Sequence, residues 1–325
     1  MPTTVPYWIS DLVNGLLRVD SAGVITRPTL NSTDPVFNVN GFFVANWGIT
    51  ADSSGNVFVV DQSAGSPFTS VIFMLNDTTK TVTRVAGGGG SGALGYTFNL
   101  AYYVALDASG NLYISDANDH IVLAVNRQAT TQTILGVSIA SGDIAVVAGV
   151  QGVNGYSGDS GPATSAHMSF PHGIAVDSNG NLYICDQGNT ISGSSARIRK
   201  VSTSGTITTA AGTGTNGFTG DGGSPTSAEL NRSLGVCLDA SGNFYVTDTF
   251  NVVIRAVNNQ ATSQTLLNTS VASNTIKTVV GTAGNSGYSG DSGQATAAKL
   301  GNSPWFSGFD NLGSLYICDT GNFVV

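Results

Sequence analysis

A single phrase recurs along this chain and restricts what it can fold into: an apolar run closing on Asp, two linker residues, Gly-Asn, a second apolar run and a final Asp. It reads GITADSSGNVFVVD from Gly48 to Asp61, VALDASGNLYISD from Val104 to Asp116, GIAVDSNGNLYICD from Gly173 to Asp186 and GVCLDASGNFYVTD from Gly235 to Asp248. A looser copy, GFDNLGSLYICD, spans Gly308 to Asp319, and YWISD at Tyr7 to Asp11 matches the second run alone. Asp and Gly suit a tight reversal, since Asp bonds its own backbone and Gly accepts a left-handed twist. Each full phrase therefore reads as a hairpin of two short strands. Two further strand-like runs follow, such as ARIRKVS with GTITTAAG (Ala196 to Gly212) and SVIFMLN with KTVTRVAG (Ser70 to Gly87). Tandem units of four antiparallel strands predict an all-β chain, a β-propeller with one unit per blade. Leu182-Tyr183-Ile184-Cys185 is apolar or small on both faces, as a sheet covered on both sides requires.

The units fall at 42–87, 101–149, 171–212 and 233–281, with partial ones at 1–28 and 303–325. The N-terminal piece supplies strands two, three and four, and the C-terminal piece strands one and two. Two arrangements fit: six blades with incomplete first and last members, or five closed blades and a surplus strand from Leu315 to Val325. An unpaired apolar strand is an aggregation hazard or a donor to another subunit.

Charged residues are only 10% of the 325, far below the roughly 25% of ordinary soluble domains. The net charge is -8, and the twelve Lys and Arg residues form no run. That excludes a nucleic-acid surface, which needs clustered cations to displace counterions. No apolar stretch approaches a membrane span, so no membrane insertion is expected. Met1 to Pro6 lacks the regions of a signal peptide, so the expectation is a processed chain or a fragment. Few lysines, abundant Ser and Thr, and sequons at Asn31, Asn76, Asn231 and Asn268 point to an extracellular or cell-surface protein. Cys185, Cys237 and Cys318 have neither disulfide nor metal spacing. Cys185 and Cys318 share one repeat position and read as small buried fillers.

Strand alternation places the closing Asp61, Asp116, Asp186 and Asp248 at one end of the blades, called the top. The connectors Gly155 to Ala166, Gly217 to Ala228 and Gly287 to Ala298 join them there and bring Asp159, Asp221 and Asp291. Ligands favour such loops over rigid strands. The top is thus a candidate ligand face, with His172, Trp47, Tyr103 and Trp305 near the strand starts, and Asp159, Asp221 and Asp291 are candidate Ca²⁺ ligands. The competing reading is that each Asp caps a turn and the aromatics plug the inner ends of the blades. GDSGP at Gly158 looks like a serine-protease nucleophile segment. It recurs as GDGGS at Gly220, where Gly222 replaces the serine, and no triad partners accompany it, so no catalytic residue is assigned.

The phrases GIAVDSNGNLYICDQGN, IRKVSTSGTITTAAGTG and GYSGDSGPATSA resemble the NHL-repeat propellers, especially long bacterial extracellular ones. The resemblance covers essentially the whole chain. It is loosest from Phe42 to Gly87, where AGGGGSGALGYTFN replaces the usual connector. It implies a propeller, commonly six-bladed, and no single activity, because the family includes lyases, sensors, RNA binders and scaffolds. In its peptide-amidating lyases, histidines around the axis bind zinc. Here only His172 holds such a place, while Trp47, Tyr103, Leu234 and Ser307 hold the others, and one histidine cannot make that site. The expectation is a non-enzymatic interaction or structural propeller without a cofactor, binding other proteins or copies of itself in a fibre or surface assembly. The alternatives are a glycan- or peptide-binding module and a metal-dependent hydrolase or lyase.

Overall fold

The computed structural model describes residues 7–11, 15–19, 25–26, 30, 32, 46–63, 69–88, 91–188, 196–310 and 312–325. The chain divides into two compact units, Met1–Val147 and Ala148–Val325. Among the described residues the regular elements are β-strands and short 3-10 turns, and no helix is long and apolar enough to cross a membrane.

The first unit opens with a three-stranded sheet, β1 (Tyr7–Asp11), β2 (Gly15–Val19) and β3 (Ile25–Thr26). A four-stranded sheet follows, from β4 (Asn46–Ala51), β5 (Asn56–Ser63), β6 (Thr69–Asn76) and β7 (Val82–Ala86). The next begins with β8 (Ala101–Leu106), β9 (Leu112–Asp116) and β10 (Ile121–Val125). It then inserts a hairpin, β11 (Gln132–Ile134) with β12 (Val137–Ile139), before its fourth strand β13 (Ile144–Ala148).

In the second unit one sheet comprises β14 (Pro171–Val176), β15 (Leu182–Asp186), β16 (Arg197–Val201) and β17 (Ile207–Ala211). The next has β18 (Gly235–Leu238), β19 (Phe244–Asp248) and β20 (Val253–Val257). It too inserts a hairpin, β21 (Gln264–Leu266) with β22 (Thr269–Val271), ahead of β23 (Ile276–Val280). Last comes a two-stranded sheet, β24 (Pro304–Phe309) with β25 (Leu315–Asp319).

The reversal between first and second strands is built as its residues demand. Asp177 accepts the backbone amides of Asn179 at 3.0 Å and Asn181 at 2.8 Å, and its other oxygen takes the Asn181 side-chain amide at 2.8 Å. Gly180 sits at φ 84°, a left-handed conformation that side chains resist. Asp107 and Asp239 repeat the pattern with Asn111 and Asn243.

The blades pack face to face. Tyr183, Cys185 and Ile198 of one blade meet Val236, Phe244 and Val246 of the next in one apolar cluster. Tyr245, Ile254 and Ala256 then meet Phe309, Leu315 and Ile317. Their first strands run so close that a Cβ on Gly173 would lie 2.6 Å from the Leu234 carbonyl, and one on Gly235 2.8 Å from that of Trp305.

Two features differ from the sequence reading. The hairpins β11–β12 and β21–β22 are additions to the four-strand unit, and they explain why Asp116 to Asp186 and Asp248 to Asp319 are the two longest intervals. Buried Asn126 and Asn258 anchor them: Asn126 donates to the Thr130 and Ile139 carbonyls at 2.8 Å, and Asn258 to those of Thr262 and Val271 at 2.9 Å and Ala272 at 3.1 Å. Cys318 is exposed, not a buried filler like Cys185. Among the described residues no third strand covers β25.

Candidate functional site

Asp116, Asp186 and Asp248 end their strands and Asp61 lies two residues before the end of β5, but their carboxylates are turned away from solvent. Asp61, Asp116, Asp186 and Asp248 are all buried. Asp116 accepts the amides of Asn99 at 3.0 Å and Leu100 at 2.8 Å. Asp186 accepts that of Ser169 at 2.7 Å, and Asp248 that of Asn231 at 2.7 Å. Each pins the backbone just ahead of its own blade's first strand. Burial pushes the carboxyls of Asp116, Asp186 and Asp248 up to about 6, while these amide bonds pull the other way. The arrangement holds the backbone and leaves no carboxylate of this set facing solvent.

Two arginines that the sequence reading passed over organise the connectors of the second unit. Arg199 on β16 pairs opposite Ile184, and Arg255 on β20 opposite Val246, so they hold the same repeat position. Both are fully buried. The Arg199 guanidinium donates to Asp159 at 2.7 Å, the Ser157 carbonyl at 3.1 Å, and Asp186 and the His167 carbonyl at 3.4 Å. Arg255 donates to Asp221 at 2.6 and 3.0 Å, the Thr219 carbonyl at 2.8 Å and the Glu229 carbonyl at 2.9 Å, with Asp248 at 3.8 Å. The rings of Tyr156 and Phe218 lie 4.8 and 5.0 Å from these guanidinium carbons. Burial would raise Asp159, but the Thr209 hydrogen bond and the Arg199 charge outweigh it, so Asp159 stays below its ordinary range. A buried cation this well surrounded is a lock, because losing one partner strands the others.

The GDSG and GDGG segments are the turns that present these aspartates. Ser160 takes φ 67°, Gly161 donates to the Gly158 carbonyl at 2.9 Å, and a Cβ on Gly158 would strike Ala166 at 2.7 Å. Asp159 and Asp221 are thus committed to Arg199 and Arg255. Asp291 is exposed and accepts the Tyr288 hydroxyl at 3.2 Å. Among the described residues no group of three or more His, Cys, Asp or Glu side chains gathers into a metal-binding set.

At the strand starts the structure brings His172, Gln187 and Arg232 together. Burial pushes His172 down to about 4, the Arg232 charge adds to this, and a hydrogen bond with Gln187 opposes it. The buried Gln187 Nε2 and Arg232 Nε have no hydrogen-bond partner. Trp305, not Ser307, stands at the place in β24 that His172 holds in β14, and Tyr102, not Tyr103, holds it in β8, because the strand register shifts just after the first pair; the Phe306 ring lies 6.4 Å from that of Trp305. Tyr103 lies half-buried in β8, its amide donating to the Ser115 hydroxyl at 3.1 Å. The Trp47 side chain and the Asn31 sequon lie outside the described residues. Of the other sequons, Asn76 uses its side-chain oxygen to bond the amides of Thr78 and Thr79, Asn231 is half-buried, and Asn268 is exposed at the tip of β21–β22.

Residues 93–219 match the family model of the Teneurin NHL domain. A structural genomics protein of unknown function from Bacteroides thetaiotaomicron superimposes with a TM-score of 0.62 at 18% identity, covering 97% of this chain and 64% of its own. An auxiliary nutrient binding protein from Bacteroides ovatus gives 0.59 at 14% identity, covering 99% and 65%. Catalytically inactive virginiamycin B lyase from Staphylococcus aureus, bound to quinupristin, gives 0.50 at 14% identity, covering 96% and 73%. The chain therefore spans less than two thirds of the two Bacteroides proteins. At these identities the likeness is one of fold: several four-stranded antiparallel sheets, as in β-propeller structures.

Proposed function

We propose that this chain, whose residues 93–219 carry NHL repeats, is a non-enzymatic interaction propeller working outside the cell or at its surface. It engages other protein chains, copies of itself included, through exposed apolar side chains around β25. On this reading there are six blades. One observation carries the proposal. β15 and β19 are buried along their whole length, whereas β25 alternates half-buried with exposed residues, and Leu312 and Phe323 beside it are exposed. Exposed apolar side chains clustered on one strand are a surface that another chain can cover. The recurring carboxylates support the same reading, since they are spent on backbone amides and buried guanidinium groups. Light scattering of the purified chain over a range of concentrations tests it: association is expected, and a strict monomer would overturn the self-assembly part.

A second reading, a glycan- or peptide-binding module, is favoured by the unpartnered Gln187 and Arg232 donors beside His172. Glycan-array binding that is lost in Trp305→Ala and His172→Ala without unfolding would establish it. Stoichiometric metal in the purified protein would instead point to a metal-dependent hydrolase or lyase, with Ca²⁺ at Asp291 as the first candidate.

A further inference from the structure

The two units treat one place at a blade junction differently. In the first unit Arg127 fills it. Arg127 follows the buried Asn126, and the Asn111 side-chain oxygen accepts its amide at 3.2 Å. Its guanidinium donates to the Gly110 carbonyl at 2.9 Å, lies 4.5 Å from the Phe58 ring centroid and reaches the Met74 sulfur at 3.7 Å. The connector ahead of β8 closes the side, where the Ala93 amide donates to the Gly142 carbonyl at 3.2 Å.

In the second unit Asn259 stands at the same place. Asn243 accepts its amide at 3.1 Å, and its side chain donates to the Gly242 carbonyl at 2.9 Å, as Arg127 does to Gly110. The shorter side chain reaches no further than the Tyr183 hydroxyl, at 3.4 Å. Lys200 faces Tyr183 as Met74 faces Phe58. Pro225, which has no amide hydrogen to give, takes the place of Ala93: the two carbonyls accept the equivalent amides of Gly212 and Gly87. Asn274 takes that of Gly142, its amide donating to Asn258 as the Gly142 amide does to Asn126. The space that Arg127 fills in the first unit is here a cavity of about 300 Å³. Buried Tyr183, Phe244 and Val257 form its floor, and Lys200, Thr208 and Asn274 stand in its wall with Asn259. Among the described residues no carboxylate lies within 4.0 Å of the half-buried Lys200, whose ammonium is 5.1 Å from the Tyr183 ring centroid.

We propose that this cavity binds an acidic sugar, a single hexuronate ring whose carboxylate pairs with Lys200 and whose hydroxyls meet Asn259, Asn274 and Thr208. An ammonium without a counter-charge, set among amides and hydroxyls over an apolar floor, matches a hydroxylated monoanion. A phosphate dianion calls instead for more cations or a nest of backbone amides. At about 300 Å³ the space stands at the small end of ligand pockets, which limits the occupant to one ring. The cavity shares no residue with β25 or with the group around His172, so the proposal goes beyond the interaction reading and stands or falls without it.

The test titrates the full 325-residue chain, labelled with nitrogen-15, with sodium glucuronate and follows the amide resonances. Saturable shifts are expected at Lys200, Thr208, Asn259 and Asn274. Glucose, which lacks the carboxylate, should bind about tenfold or more weakly, because a charge-assisted bond is lost. Asn259→Arg rebuilds the plug of the first unit, and Lys200→Met its neutral wall. Each should weaken glucuronate about tenfold or more and leave the rest of the spectrum in place. If Asn259→Arg disturbs the fold, Lys200→Met decides, since methionine already holds that place opposite Phe58. No saturable shift, shifts centred elsewhere, or a Lys200→Met chain that binds within about twofold of wild type overturns the site. Glucose or acetate binding within about twofold of glucuronate overturns the acidic sugar.

Discussion

The blade at 171–211 and the sheet at 304–319 share one wiring plan and reach opposite states. In the first, Leu182 to Asp186 is buried throughout. In the second, the same LYICD pentapeptide alternates half-buried and exposed until its final Asp. The first strands, the Asp-centred turns and the pinned closing aspartates are alike in both. Among the described residues the first sheet has a third strand carrying a guanidinium, and the second shows none. Burial of a second strand is thus conferred by its neighbours, while its end geometry is set by its own Asp. The strand-one/strand-two hairpin keeps the same turn and pinned Asp in both, and in the first the third strand brings the guanidinium.

Removing the cation should break the contrast most. Arg199→Ala or Arg255→Ala strands a buried carboxylate and two carbonyls, and should cost about 3–5 kcal/mol in urea unfolding, with Arg→Met costing less. A similar loss from Asp291→Ala would show that the third connector is locked after all. Next is the pH response of His172, whose counterpart in β24 is the non-titrating Trp305. Its folded value near 4 lies below the ordinary value near 6.5, so the unfolded chain takes up the proton first as pH falls. Stability from this residue is therefore present above about pH 6.5 and lost towards pH 4, by about 2–3 kcal/mol. Asp186 and Asp248, pushed up, act in the opposite sense, but they are common to wild type and His172→Gln. Unfolding both proteins at pH 7 and pH 4.5 should show the smaller acid loss in the variant, and equal losses would refute the assignment.

Gly235→Ala should cost about 2 kcal/mol, since its Cβ would meet the Trp305 carbonyl at 2.8 Å. Gly308→Ala, with nothing within 4 Å of the added carbon, should stay within about 0.5 kcal/mol. Thermal melts compare them, and equal shifts would mean that first-strand crowding does not matter. The smallest effect is expected at Asp291→Asn in the isolated chain, within about 0.5 kcal/mol, because Asp291 is exposed and, among the described residues, accepts just the Tyr288 hydroxyl.

The hairpins were legible because their turns need Asp and Gly, residue types that announce themselves. The roles of the closing aspartates were not, because their partners are backbone amides 16 or 17 residues upstream that carry no side-chain signature. Arg199 and Arg255 were missed although a signal existed. Arginine stands at the lock position in those two units, each preceded by a G-D-x-G connector. The units without such a connector place Phe73 and Leu123 opposite the equivalent Val59 and Ile114. The extra hairpins were also written twice, as NRQATTQTI and NNQATSQTL, but they resemble linker composition when read for apolar runs. Cys318 is exposed where Cys185 is buried, because among the described residues no strand lies beside β25 as β16 lies beside β15.

The way each connector grips forward carries a consequence for how such a chain can be cut and copied. Asp159 belongs to the stretch before β14 yet serves Arg199 on β16, and Asp221 before β18 serves Arg255 on β20. The exchangeable cassette therefore runs from Gly155 to Ala211, and from Gly217 to Val280, rather than from first strand to fourth. A graft or deletion made at the strand boundary would separate a carboxylate from its cation. One made at Thr213 to Asn216 would carry the pair across intact. Where repeats of this kind multiply by duplication, the breakpoints that yield a folded product belong in those few exposed residues between the fourth strand and the following glycine.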